Sequence, residues 1–140
     1  MSTYLQTFAE RFATLDAHNL DRLAELYSND ITIRDPLHKL SGLPALHQYF
    51  AELYANARDI SYQFEGADEI APGHGYLRWT LQFSHPRLNS GRAISVQGCS
   101  HLQWRERVYF HQDYYDAGAL LYEHVPVMGS AIRWLKGRLA

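Results

Sequence analysis

Val108-Tyr-Phe-His-Gln-Asp-Tyr-Tyr-Asp116 is the stretch on which the fold turns. β-Branched and aromatic residues at 108, 109, 110, 114 and 115 favour extended chain, yet Asp113 and Asp116 interrupt the apolar run. Strand side chains alternate between faces, so Phe110, Gln112, Tyr114 and Asp116 are assigned to one side and Tyr109, His111, Asp113 and Tyr115 to the other. With Phe110 marking the apolar side, the first set turns to the core and His111 turns outward. Gly118 ends the strand, which leaves Asp116 at a sheet edge or mouth, where sites are commonly built.

Three more period-two segments lead up to this one. Ile60, Tyr62 and Phe64 alternate with polar residues; after the turn Pro72-Gly-His-Gly75, Leu77, Trp79, Leu81 and Phe83 do the same. From Ala93 to Trp104, Ile94, Val96, Gly98, Ser100, Leu102 and Trp104 share a face, and Gly98 in mid-strand predicts a bulge or bend that curves the sheet. Four long antiparallel strands therefore occupy the second half of the chain.

The first half is helical. Tyr4, Leu5, Phe8, Phe12 and Leu15 recur at helical intervals and predict a helix over 3–17, and Asn19 is placed to cap a second one carrying the stripe Leu20, Leu23, Leu26 and Tyr27. Ile31-Thr-Ile-Arg-Asp35 is a short strand stopped by Pro36, and a third helix follows from Leu43 to about Ala57. A last helix or two, broken at Pro126, closes the chain. Helices then strands, with no linker or repeat, predict a single α+β domain over 1–140: a curved antiparallel sheet, cone-shaped, wrapped around three N-terminal helices, with a cavity at its mouth.

Composition narrows function more than it names it. A net charge of -2 without runs of like charge argues against nucleic-acid binding. The lone cysteine, Cys99, excludes a disulfide framework, and no apolar run reaches the length of a membrane span, so a cytoplasmic protein that neither spans nor sits on a membrane is expected. Eight histidines invite a metal, but neither a His-Glu-x-x-His nor a Cys-x-x-Cys pair is present, and no metal or organic cofactor is expected. An aromatic content of 14% suits a pocket or an interface, and the low charge of the outward strand faces, with Tyr109, Tyr115, Cys99 and His101, predicts a homodimer.

Two acids stand out. Asp35 shares a face with Ile31 and Ile33, where loss of water raises a carboxyl pKa toward that of a general base; the competing reading is an Asp-Pro turn whose side chain binds nearby amides. Asp116 is assigned to the apolar face of the last strand, so both acids are expected to open into one cavity from different walls.

Leu20-Asp21, Ile31 to Pro36, Gly42, Ala45-Leu46, Tyr49-Phe50 and the terminal Asp113-Tyr-Tyr-Asp116 resemble the nuclear transport factor 2-like superfamily, and within it the SnoaL-like polyketide cyclases and ketosteroid isomerases. The resemblance implies a conical α+β fold and a small apolar ligand. It implies that Asp35, before Pro36, occupies the position of the isomerase base, and that Asp116, before Leu120-Leu121, occupies the final-strand acid of the cyclases. The isomerases' oxyanion-hole Tyr and Asp fall on Arg11 and Ser100, a departure that removes their electrostatic stabiliser. The expected site is thus Asp35 and Asp116 as catalytic acids, with Trp79, Ser100, Tyr114, Tyr27 and Arg11 around the ligand. The two function classes are a cofactor-independent isomerase or cyclase acting on a small carbonyl or cyclic compound, and a non-catalytic binder with the same pocket.

Overall fold

A computed structural model describes residues 3–120, 134–135 and 137–139. Helix α1 (Thr3–Phe12) buries Leu5, Phe8, Ala9 and Phe12 along one face. It stops short of residue 17 because side chains take over the backbone: Asn19 Nδ2 donates to the Thr14 carbonyl at 2.8 Å, and the Asp16 amide donates to Asn19 Oδ1 at 2.7 Å. Asn19 therefore braces the loop instead of capping the next helix. A 3-10 turn (Leu20–Arg22) runs into the single turn of α2 (Leu23–Leu26), and Tyr27 opens strand β1 (Tyr27–Arg34).

A short edge strand, β2 (Lys39–Ser41), was not expected; its three residues are too few to show a period. Gly42, at φ +90°, turns the chain and donates its amide to the Ile31 carbonyl at 2.7 Å, and α3 (Leu43–Asn56) starts with Pro44 in its first turn. Strands β3 (Arg58–Ala71), β4 (His74–Ser84), β5 (Ile94–Trp104) and β6 (Val108–Tyr115) follow, and α4 (Ala117–Leu120) begins at the end of β6. The expected C-terminal helix lies almost wholly outside the described residues.

The sheet is curved and open, in the order β2-β1-β6-β5-β4-β3. It is mixed rather than antiparallel throughout: β1 runs parallel to β6, with Ile33 opposite His111, and every other neighbouring pair is antiparallel. The concave face carries Leu77, Trp79, Leu102 and Trp104 against Leu5, Phe8, Phe12 and Phe50 of the helices, and Ile94 and Val96 pack with Phe83 and Ala57 in a second cluster.

Two irregularities were misplaced by the sequence pattern. Strands β4 and β5 pair without a register shift through Gly98, so no bulge exists there; a Cβ on Gly98 would stand 2.3 Å from the Trp79 ring, and the glycine is there to let the indole lie flat across the strand. The bulge is instead at Tyr109. Gln103 pairs with Phe110 but Trp104 pairs with Val108, which leaves Tyr109 as an extra residue and reverses the facing of everything beyond it. Val108, His111, Asp113 and Tyr115 consequently face inward, while Phe110 packs on the outer face against His101.

Candidate functional site

The concave face leaves a cavity of about 110 Å³ between α1, α3 and the strands. Most of its wall is apolar, from Ile33, Leu40, Leu53, Ile60, Leu81, Phe83 and Val96. The polar residues that line it are few among those described: Arg34, Asp35 and His38 at one side, Asp113 and His111 at the floor, and the tyrosines Tyr49, Tyr62 and Tyr115.

The floor is a continuous chain of buried hydrogen bonds drawn from three strands and β6. Trp79 Nε1 of β4 donates to Ser100 Oγ of β5 at 2.8 Å, and Ser100 Oγ donates to Asp113 Oδ1 at 2.5 Å. His111 Nε2 lies 2.6 Å from the same carboxylate oxygen, and His111 Nδ1 lies 2.9 Å from the Tyr27 hydroxyl of β1. An ionised carboxylate only accepts, so Nε2 carries the proton and Nδ1 accepts from the phenol. Burial first, and the Asp113 charge second, push the Tyr27 phenol well above its ordinary range, which keeps it a donor. With Oδ1 taken twice, the other oxygen of Asp113 is left for the cavity, and the side chain keeps 21% of its surface exposed.

Asp35 is built differently. Its Oδ1 accepts the backbone amides of Leu37 and His38, both at 2.7 Å, and His38 Nδ1 lies 3.3 Å away, so the Asp-Pro turn reading holds. The carboxylate still lines the cavity, which it shares with Tyr115. Burial and then the Asp35 and Asp113 charges push Tyr49 up to about 12; burial, then Asp35, raise Tyr115. Both phenols stay protonated at neutral pH and both feel the two carboxylates.

The expected residues separate accordingly. Asp35, Trp79 and Ser100 meet around the cavity, and Tyr27 stands behind its floor. Tyr114 does not: the bulge turns it to the outer face, 51% exposed. Arg11 is exposed at the last turn of α1, and its neighbour Phe12 is the α1 residue that reaches the cavity. Asp116 is not among the described wall residues; it lies past β6, where Oδ1 accepts the Gly118 amide at 2.8 Å. His111, expected outside, is 4% exposed and central, whereas His101 stays outside in contact with His74. Burial, then the Asp113 charge, push the Cys99 thiol up, the direction of an unreactive cysteine. His111 and Asp113 were missed because the alternation was carried straight through Tyr109, where the extra residue exchanges the two faces.

The profile of the SnoaL-like domain family matches residues 8–107. The chain belongs to the SnoaL-like domain family. Solved structures agree on the fold. A hypothetical protein from Catenulispora acidiphila with a ketosteroid isomerase-like fold, in complex with trimethylamine, is 18% identical over 86% of this chain and 91% of its own, with a TM-score of 0.73. TsrD from Streptomyces laurentii is 15% identical over 86% and 93%, at a TM-score of 0.72. An M. tuberculosis LEH-like epoxide hydrolase is 12% identical over 94% and 96%, at 0.70. At such identities SnoaL-like relatives share architecture and not a reaction. No functionally curated protein matches the chain.

Proposed function

We propose that this SnoaL-like chain is a cofactor-independent acid/base enzyme of the isomerase or cyclase kind, acting on a small, mostly apolar molecule with a carbonyl group, and that Asp113 is its proton-transfer residue. One observation carries the reading: a carboxylate held by Ser100 and His111 through one oxygen, with the other oxygen facing an apolar cavity. In this role Asp113 takes a proton from the carbon beside the carbonyl, the C–H electron pair moves into the forming enolate, and the proton returns at a second carbon. Tyr49, still a phenol because its pKa is pushed up to about 12, is the donor placed to hydrogen-bond the enolate oxygen. It takes over the stabilising part that Arg11 and Ser100 do not play. Asp35 holds the turn at the mouth.

The reaction class is tested without knowing the substrate. Deuterium exchange into acetone, followed by proton NMR, is expected to be accelerated by the protein and slowed about a hundredfold by Asp113→Asn. Equal rates with and without protein would remove the reading.

A non-catalytic binder is the second reading, and the engagement of Asp35 with its own turn favours it, since the residue matched to the isomerase base is already occupied. The complex of the Catenulispora protein with trimethylamine supports a small-molecule occupant under either reading. Among the described residues no helix is long and apolar enough to cross a membrane, and a cytoplasmic location is proposed from the cysteine usage. A homodimer is proposed across the outer sheet face, where Tyr76 stacks on His101 at 4.7 Å and Phe110 meets the same ring edge-on at 5.6 Å. Sedimentation as a monomer at micromolar concentration would contradict it.

A further inference from the structure

The aromatic residues of the cavity are not scattered. Tyr115 lies against Trp79 at 6.4 Å between ring centres, Trp79 against Tyr62 at 5.5 Å, and Tyr62 against Phe12 at 5.1 Å. Phe12 meets Phe50 at 5.9 Å, and Phe50 meets Tyr49 at 5.8 Å. All six line the same cavity, and the carboxylates of Asp35 and Asp113 line it with them. The rings form an aromatic girdle in a wall that carries two acids.

Charge and size point the same way. The cationic groups on the wall are Arg34 and His38, and both are exposed, so water screens them. His111 is held at both ring nitrogens, by Tyr27 and Asp113, and among the described wall residues no buried Lys or Arg stands against the two carboxylates. A neutral apolar ligand would give the Asp113 carboxylate no partner beyond Ser100 and His111, whereas a cation would be paired with it and face aromatic rings, whose faces attract positive charge. A volume of about 110 Å³ lies below the roughly 150 Å³ of a cavity that accepts benzene, so the site takes a compact group and not a polycyclic body.

We propose that the girdle is a binding site for a small alkylammonium group, and that the ligand of this cavity is an organic cation whose remaining atoms extend toward the mouth. This rests on the reading that the cavity holds a small molecule, and it names the chemical class of that molecule.

The test is calorimetric titration at constant salt with choline chloride and, separately, with the neutral alcohol in which carbon replaces its nitrogen. Choline is expected to bind about tenfold or more tighter than the alcohol. In Asp113→Asn the preference is expected to disappear while the alcohol's affinity stays. Tyr115→Phe should keep the preference and Tyr115→Leu should weaken it, because the ring and not the hydroxyl faces the charge. Equal binding of the two probes, or tighter binding of the alcohol, overturns the cation site and leaves the small-molecule pocket standing. Binding of neither probe to folded protein overturns the cation site as well; if deuterium exchange into acetone is also absent, the pocket reading falls with it.

Discussion

Asp113 and Asp35 reach the same cavity, and they differ in where their partners come from. Asp35 is held by amides two and three residues further along the chain, contacts that any Asp-Pro turn makes with or without a folded domain. Asp113 is held by Ser100 of β5 and by His111, which is oriented by Tyr27 of β1, while Ser100 is oriented by Trp79 of β4. Apart from the His111–Asp113 contact within β6, those bonds exist only when the strands are assembled, and they draw polar groups out of water to make them. Local bonds shape a loop. Bonds gathered across a fold and buried at a cavity floor need a compensating gain, and chemistry at the free oxygen of Asp113 supplies a reason for them.

The comparison is broken most forcefully at its centre. His111→Ala strands both the Asp113 carboxylate and the Tyr27 hydroxyl and opens a void, and it is expected to cost about 3 kcal/mol in urea unfolding. His38→Ala, at the mouth and half exposed, is expected to cost less than about 0.5 kcal/mol. Equal losses would show that floor and mouth are not different. Next comes Asp113→Asn, with a loss in acetone exchange of about a hundredfold, or about 2.7 kcal/mol in barrier.

Gly98→Ala probes the floor from beneath. The new methyl would stand 2.3 Å from the Trp79 ring, so the indole must leave its place beside Ser100; a loss of about 1–3 kcal/mol and an altered Trp fluorescence are expected. Unchanged fluorescence would show that the indole is not fixed by that contact.

Alkaline titration separates the cavity phenols from ordinary ones. Tyr49, raised from 10.0 to about 12, holds its proton in the folded state after the unfolded chain has lost it. Its contribution is therefore complete below pH 10 and is lost as pH rises from 10 to 12. Allowing for its partial exposure this is ~1–2 kcal/mol, and Tyr49→Phe should flatten the decline in urea midpoint across that interval. Asp35→Asn is expected to have a small effect as well. The amide oxygen still accepts from Leu37 and His38, and a change below about 1 kcal/mol in thermal unfolding is expected.

These differences also explain what the sequence could tell. The period-two runs of 60–64, 77–83 and 94–104 named their own inward faces, because one face of each strand is buried and the pattern repeats several times. The Asp35 turn was legible for a similar reason, since Pro36 is its neighbour. The inward face of β6 was not. It depends on a single extra residue at Tyr109, which leaves no trace in composition and exchanges His111, Asp113 and Tyr115 for Phe110, Gln112 and Tyr114. The parallel pairing of β1 with β6 was hidden too, because the two strands are separated by most of the chain. Asp116 was expected in the cavity wall, and Asp113 is the β6 carboxylate that lines it.

The nitrogen shifts of His111 test the account most directly, because they need no substrate. A long-range proton–nitrogen NMR spectrum near neutral pH should show one fixed tautomer, with the proton on Nε2 toward Asp113 and a bare Nδ1 accepting from Tyr27. Tyr27→Phe should loosen that preference without moving the signals of His38. A His111 ring protonated on Nδ1, or averaging between tautomers as a solvent-exposed histidine does, would contradict the buried chain and with it the assignment of Asp113.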